Sequence, residues 1–255
     1  MLKWLILGLV VYLGALAYVY LTQERQIFNA SSIQTPLDFP CYPCETLRLE
    51  VASDVVLEGL HRPFKEAPVL LYFGGNADDA TRILLHLNPA LAVEVVAFNY
   101  RGYGKSGGQP SQEALFADAL KIYDTFAKGR NVIVMGRSLG TGVATYLAAN
   151  RAVQKLVLIT PYDSIRALAK ASYPYFPIDW LIKHPFESTR YMPYVTAPVF
   201  VIEVEKDTVT PHKHTLALIE KISHLALHVT LNQTTHGEVL HAFEKESIMK
   251  KVLTF

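Results

Sequence analysis

Short apolar runs separated by stretches of helical periodicity recur along most of this 255-residue chain. The runs at 67–73, 131–136 and 154–160 are dominated by apolar residues, as expected of strands that are buried on both faces. Similar runs lie at 93–99, 198–205 and 225–231, and the segments 46–53 and 55–62 have the pattern of an antiparallel pair. Strands that alternate with helices predict a mostly parallel, doubly wound α/β sheet.

The N-terminal segment differs from the rest of the chain, because residues 4–21 contain no charge. About 20 apolar residues are needed to cross a bilayer, so this run predicts a transmembrane helix, and we assign residues 1–22 as a membrane anchor. Lys3 precedes the run, whereas Glu24 and Arg25 follow it and cancel each other. The positive-inside rule then puts the N-terminus in the cytoplasm and the following domain in the periplasm or another extracytoplasmic space.

The alternative for this segment is a cleaved signal peptide, since Ala-Leu-Ala at 15–17 has the small-x-small form of a cleavage site. Residues 23–45 include a segment rich in Ser and Pro and are predicted to be a linker. Within it, Cys41 and Cys44 are compatible with a short-loop disulfide or with two free thiols. Residues 46–255 have the size of one α/β domain.

One serine lies between two glycines, in GRSLG at 136–140, where an apolar run changes into a helical pattern. On such a tight strand-to-helix turn the serine is held in a strained conformation, and its hydroxyl projects from the carboxyl edge of the sheet. The glycines remove side chains that would clash, and the helix N-terminus favours developing negative charge. The motif predicts Ser138 as a nucleophile, against the simpler interpretation of a glycine-rich turn.

A serine nucleophile needs a base that takes its proton and an acid that orients the base. In folds with this turn the acid follows a later strand and the histidine comes last. Asp207 follows the run at 198–205, and His236 lies in a polar loop after the last run. The chain therefore has the required order Ser138, Asp207, His236. Asp163, which also follows a predicted strand, is the alternative acid.

Acyl transfer also requires two hydrogen-bond donors for the oxyanion. One predicted donor is the amide N–H of Leu139, the residue after the nucleophile. The other is Asn76, because its Gly-Gly-Asn loop follows the run at 67–73, where the mechanism needs the second donor. A plain glycine turn is the alternative interpretation of this loop.

The glycine-rich segment NYRGYGKSGGQPS follows the run at 93–99, at the same predicted edge of the sheet. Its Arg101, Tyr103 and Lys105 are suited to contact an anionic head group. They are equally suited to fix this loop to its neighbours, while the glycines supply turn conformations. We favour the structural role.

Five segments of the chain carry a family resemblance: LYFGGNADD, FNYRGYGKSGGQPSQEALFADA, GRSLGTGVA, TPYDSI and EKDTVTP. Together they resemble the Bem46/ABHD13-like branch of the α/β-hydrolase superfamily, from about residue 46 to the C-terminus. The resemblance implies an α/β-hydrolase fold, often preceded by one N-terminal transmembrane helix. Carried over by position, it gives the same site residues: nucleophile Ser138, acid Asp207, base His236, and oxyanion donors Asn76 and Leu139.

The resemblance implies a membrane-anchored serine hydrolase that cleaves esters or lipids without a metal or organic cofactor. A short helical cap is expected at about 165–194, and its aromatic residues suit either an acyl chain or the packing of the core. A net charge of +1, with both signs mixed along the chain, argues against a nucleic-acid partner. A serine peptidase of the same fold and a non-catalytic anchored binding module are the alternatives.

Overall fold

One mixed sheet runs through the domain in the computed structural model, which describes residues 1–33, 43–245 and 248–253. Its strands are β1 (Glu45–Ala52), β2 (Val55–Arg62), β3 (Val69–Phe73), β4 (Glu94–Phe98), β5 (Val132–Arg137), β6 (Lys155–Ile159), β7 (Val199–Lys206) and β8 (Leu225–Thr235). Within the described residues they form an eight-stranded sheet in the order β1-β2-β4-β3-β5-β6-β7-β8. β2 pairs antiparallel with β1 and with β4, and the other neighbouring strands are parallel. The predicted mostly parallel sheet is confirmed.

Helices follow the strands much as the alternating pattern predicts. They are α1 (Leu2–Ile27), α2 (Gln112–Phe126), α3 (Leu139–Asn150), α4 (Ile165–Ser172), α5 (Ile178–Leu181), α6 (Ser188–Tyr191), α7 (His212–Ile219), α8 (Val239–Lys245) and α9 (Ile248–Leu253). Single 3-10 segments lie at Ala30–Ser32, Ala80–Leu85 and Met192–Tyr194. Ser111 caps α2, because its side chain accepts a hydrogen bond from the N–H of Ala114.

The core lies on both faces of the sheet, which explains the uninterrupted apolar runs. In β3, Val69, Leu71 and Phe73 belong to one hydrophobic cluster, whereas Leu70 and Tyr72 belong to another. Because side chains alternate along a strand, these clusters lie on opposite sides of the sheet. The parallel strands therefore bring their carboxyl ends to one shared edge, where the loops that follow β3, β5, β7 and β8 meet.

The apolar helix α1 is 26 residues long and, by length and composition, is a candidate membrane span. It continues to Ile27, five residues past the end of the predicted anchor and into the predicted linker. Phe28 follows directly and is buried in the domain core. Of the two cysteines, Cys44 is not a free thiol, and Cys41 lies outside the described residues.

The predicted cap at about 165–194 divides into two parts. α4 contains no fully buried residue and packs only Ile165 and Leu168 against the main core cluster, and α5 buries only Ile178. The second part turns back onto the domain, since Phe186 and Met192 are fully buried in the main core cluster. The covering over the carboxyl edge of the sheet is therefore formed by α4 and α5.

Candidate active site

Ser138 lies on a strained turn between β5 and α3. Its backbone has φ 49° and ψ −119°, a conformation that residues other than glycine rarely adopt. A Cβ on Gly136 would overlap the carbonyl oxygen of Gly140, and a Cβ on Gly140 would overlap that of Phe73. Both glycines are thus required sterically, which gives the GRSLG motif its physical reason.

The loops after β5, β7 and β8 bring Ser138, Asp207 and His236 together. The Nε2 atom of His236 lies 2.9 Å from the Ser138 Oγ, within hydrogen-bonding distance. The Nδ1 atom of His236 lies 3.0 and 2.9 Å from the two carboxylate oxygens of Asp207. With Nδ1 protonated, Nε2 is free to accept the serine proton, which is the relay that serine activation requires.

The Asp207 carboxylate is held by its own loop as well as by His236. It accepts hydrogen bonds from the N–H of Val209 at 2.9 Å, and from the N–H and hydroxyl of Thr210 at 2.7 and 2.8 Å. Burial acts to raise the pKa of Asp207, but the hydrogen bonds from His236 and Thr210 outweigh burial and leave the pKa below its ordinary value. The carboxylate is consequently ionised at neutral pH.

The alternative acid, Asp163, is engaged elsewhere. Its carboxylate accepts a hydrogen bond from the N–H of Ser164 at 2.6 Å and lies 2.9 Å from the Nδ1 of His214. The structure thus brings Asp163 to a different histidine. Asp207 is the carboxylate within hydrogen-bonding distance of His236.

The Asn76 loop approaches the serine from the end of β3. A Cβ built on Gly75 would lie 3.5 Å from the Cβ of Ser138. The carbonyl oxygen of Asn76 accepts hydrogen bonds from the Tyr103 hydroxyl and the N–H of Asn29, both at 2.9 Å. Neither contact uses the backbone N–H of Asn76, which is the group predicted to bind the oxyanion.

The segment after β4 supports this loop. Tyr103 is fully buried beneath it, and Arg101 forms a two-point ion pair with Asp118 at 2.8 and 2.6 Å. Lys105 is exposed. Arg101 and Tyr103 therefore have the structural role that the sequence favoured.

Ser138, Asn76 and Leu139 line one cavity of about 240 Å³. Its remaining walls come from the end of α1, from α4 and from two loops: Gln26, Ile27, Tyr162, Ile165, Leu168, Ala169, Ser172, Tyr173, Val209 and Thr210. Gln26 and Ile27 were not predicted, because they belong to a segment assigned to a linker. Among the described residues, no group of three or more His, Cys, Asp or Glu side chains is placed to bind a metal ion.

Comparison with known proteins gives a consistent picture. A family model described as the alpha/beta hydrolase fold matches residues 68–186. An uncharacterized protein of Mycobacterium tuberculosis is 29% identical over 212 residues, which cover 78% of this chain and 74% of that protein. The lysophosphatidylserine lipase ABHD12 of Rattus norvegicus is 34% identical over 170 residues, covering 56% of this chain and 42% of the lipase. The chain thus matches less than half the length of that lipase.

A solved structure adds evidence for the fold. The esterase Pf2001 of Pyrococcus furiosus superposes with a TM-score of 0.63 at 18% sequence identity, covering 86% of this chain and 94% of the esterase. At that level of identity the likeness concerns the fold alone. The family model, the ABHD-named relatives and the sheet topology agree, and the chain therefore belongs to the α/β-hydrolase superfamily, in an ABHD-like branch.

Proposed function

We propose that this hydrolase cleaves carboxylic esters through Ser138, with His236 as general base and Asp207 as the orienting acid. The observation that carries the proposal is the contact of 2.9 Å between the His236 Nε2 and the Ser138 Oγ on a strained turn. A serine hydroxyl becomes nucleophilic when a neighbouring base takes its proton. Backbone N–H groups of the Asn76 loop and of the N-terminus of α3 would stabilise a negatively charged oxygen.

In the first half of the reaction, the Ser138 Oγ attacks the carbonyl carbon of the ester as the His236 Nε2 takes the hydroxyl proton. The carbonyl oxygen becomes an oxyanion, which accepts hydrogen bonds from the backbone N–H groups of Asn76 and Leu139. As the tetrahedral intermediate collapses, protonated His236 gives its proton to the departing alkoxide. An alcohol leaves, and the acyl group stays on Ser138.

In the second half, a water molecule takes the place of the alcohol. His236 removes a proton from the water, which attacks the acyl carbon, and the same proton then returns to Ser138 as the acid leaves. Because the pKa of Asp207 is below its ordinary value, its carboxylate stays charged throughout. It stabilises the imidazolium that forms in both halves and keeps the ring of His236 in place.

We assign the acyl part of the substrate to a lipid or another apolar chain. The cavity beside Ser138 is lined by Ile27, Ile165, Leu168 and other apolar groups, which suit a hydrocarbon. The ABHD12 relatives are named as lysophosphatidylserine lipases, which supports the same substrate class for this protein.

We propose further that α1 anchors the protein in a membrane, with Lys3 on the cytoplasmic side and the domain on the other side. Large apolar side chains of α1 are exposed along most of its length, which a bilayer would cover. Proteinase K added to intact spheroplasts should digest the domain if this orientation is correct. Protection of the domain, with digestion only after lysis, would place it in the cytoplasm.

The test of the enzymatic proposal is labelling with a fluorophosphonate, followed by turnover of short acyl esters and aminoacyl amides. Ser138→Ala should lose labelling and about 10⁴-fold or more of the esterase rate. Ser172→Ala is the matched control, because Ser172 lines the same cavity but is not the serine bonded to His236. Faster turnover of the amides would identify a peptidase. A wild-type protein that is neither labelled nor active would be a binding module.

A further inference from the structure

One side of α1 lies along the outer part of the cap, at residues 173–182, which we call the cap tip. The Tyr12 hydroxyl donates a hydrogen bond to the carbonyl oxygen of Tyr175 at 2.9 Å. Three turns further along, the side-chain amide of Gln23 donates to the carbonyl oxygen of Leu181 at 3.0 Å. The contact therefore extends over about half of the helix and is not limited to its junction with the domain.

The position of Tyr12 sets the depth that the cap tip reaches. Tyr12 is nine residues before Leu21, the end of the uncharged run, so it lies about 13 Å inside that run at 1.5 Å per residue. The hydrocarbon core of a bilayer is about 30 Å thick. If α1 spans the membrane, the level of Tyr12 falls inside the hydrocarbon, and the cap tip that touches it enters the same leaflet.

The side chains of the cap tip suit that environment. Tyr175 and Trp180 are 87% and 89% exposed, and their rings carry a large apolar surface that lipid would cover. Asp179 is the charged residue of the cap tip, and it forms an ion pair with Lys170 at 2.7 Å. In water the apolar surface of the exposed rings stays hydrated and does not contribute to stability, whereas among lipids each ring would bury a large apolar surface.

Backbone polar groups of the cap tip also have hydrogen-bond partners within the protein, as surroundings without water require. Backbone groups in hydrocarbon need protein partners, because an unsatisfied carbonyl or N–H is costly there. Tyr12 and Gln23 are polar side chains of the apolar helix, and they donate to two carbonyls of the cap tip. The N–H groups of Phe176 and Trp180 donate to nearby carbonyls within the cap tip itself.

A groove connects this region with the catalytic cavity. A smaller cavity of about 60 Å³ lies between α1 and α4. Its walls include Ile27, Ala169 and Tyr173, which also line the cavity of Ser138. It continues to Val19, a residue inside the uncharged run. The two cavities thus adjoin, and together they extend from Ser138 to the side of α1 that the cap tip covers, with Gln23 and Gln26 among otherwise mostly apolar walls.

We propose that the cap tip lies in the membrane leaflet beside α1, and that the acyl chain of a bilayer lipid reaches Ser138 through the groove between α1 and α4. The substrate is then a long-chain lipid ester whose chain stays in apolar surroundings as its carbonyl reaches the serine. This inference rests on the proposed ester-hydrolase function for its substrate. The position of the cap tip is independent of that function and is tested separately.

The position is tested by fluorescence in phosphatidylcholine vesicles. The chain has two tryptophans, so Trp4→Phe leaves Trp180 as the single reporter. We expect its emission to be quenched by lipids brominated on the acyl chain and to be protected from aqueous iodide. Quenching by iodide with no effect of the brominated lipids would overturn the proposal. The control carries Tyr194→Trp with Trp4→Phe and Trp180→Phe, because Tyr194 is 69% exposed outside the cap tip and should respond to iodide.

The route is tested by narrowing the groove. Val19→Phe should lower the ratio of kcat/KM for a long-chain ester in vesicles to kcat/KM for a butyrate ester by about tenfold, the loss expected when two or so methylene groups lose their burial. Val11→Phe is the matched control, since Val11 is an exposed residue of the same helix, and its ratio should match wild type. An unchanged ratio for Val19→Phe would overturn the route. A wild-type protein inactive on both esters would refute the proposed function, while the quenching result would still decide the position.

Discussion

Arg137 donates a hydrogen bond from its guanidinium group to the carbonyl oxygen of His236 at 2.9 Å. The same guanidinium contacts both carboxylate oxygens of Asp78, which in turn accepts a hydrogen bond from the N–H of Gly75 at 2.7 Å. Burial acts to lower the pKa of Arg137, but the charge of Asp78 and its hydrogen bond, together with smaller contributions from neighbouring groups, outweigh burial and raise the pKa above its ordinary value. A buried cation next to Ser138 thus links the loop of the proposed base to the proposed oxyanion loop.

Replacing Arg137 by methionine should lower kcat by about 10- to 100-fold, because small displacements of catalytic groups have effects of that size. KM for a short ester should change little, since Arg137 does not line the cavity at Ser138. The variant also leaves the Asp78 carboxylate without its cation, which should reduce the free energy of unfolding by about 2 kcal/mol. Steady-state kinetics and thermal unfolding in detergent measure the two effects.

The double variant Arg137→Met with Asp78→Asn separates positioning from stability. Removing both charges should restore most of the free energy of unfolding, because no unpaired carboxylate remains. It should not restore kcat, since the link to the His236 carbonyl is still missing. Recovery of kcat together with stability would mean that Arg137 serves only the folded state.

Asp207→Asn should reduce kcat by about 10⁴-fold, whereas Asp163→Asn should have little effect on the reaction. The asparagine no longer accepts the Nδ1 proton of His236 as a carboxylate does, and it does not stabilise the imidazolium. Asp163 instead lies 2.9 Å from His214. Measuring both variants on one ester decides the assignment, and an inactive Asp163 variant beside an active Asp207 variant would reverse it.

The strained turn and the order of the three site residues could be predicted from the sequence, because their signals are local. A glycine two residues on either side of Ser138 reflects contacts with Gly140 and Phe73 at the turn itself. Asp207 and His236 each follow a recognisable apolar run and lie in the first turn beyond it. Parallel strands then bring such positions to one edge of the sheet.

The surroundings of the site could not be predicted, because they depend on contacts between distant parts of the chain. Arg137 meets a carboxylate 59 positions earlier, and the sequence around Asp78 gives no sign of this pairing. Gln26 and Ile27 lie in a segment whose composition resembles a linker, although they form a wall of the cavity. The cap was also predicted as one unit. Its second part is buried through contacts of Phe186 with the core, and those contacts cannot be seen in the sequence.

The stability of the protein should depend on the ionisation of Asp207. Its pKa in the folded protein is below the ordinary value of about 3.9, so between the two values the unfolded chain binds more protons. The free energy of unfolding therefore rises with pH in this range. The stabilisation is complete above about pH 4 and is lost as the pH falls through the folded value. The advantage in Tm of wild type over Asp207→Asn should shrink between pH 7 and pH 3, and a constant difference would contradict this prediction.

Two deletions should separate the anchor from the wall of the active site. Removing residues 2–21 should leave hydrolysis of a short ester intact, because the segment from Gln26 to Asn29 remains. Removing residues 2–33 should strongly lower the rate of short-ester hydrolysis. Phe28 is buried in the core, and the Asn76 side chain donates a hydrogen bond to the Gln26 carbonyl at 3.3 Å. Rates per folded molecule, with thermal unfolding of each product, provide the measurement.

Asn29→Pro tests the same connection in the full-length chain, because compared with Asn29→Ala it removes the backbone N–H as well as the side chain. The N–H of Asn29 donates to the carbonyl oxygen of Asn76 at 2.9 Å, and proline lacks this donor. The backbone φ of −87° at Asn29 is close to the value that proline requires, whereas the ψ of 88° at Phe28 lies below the range preferred before proline, so this variant also carries some local strain. We expect kcat to fall about tenfold as the oxyanion loop loosens, whereas Asn29→Ala, which keeps the N–H, should retain wild-type kcat. Equal rates for the two variants would show that the Asn76 loop does not depend on the end of α1.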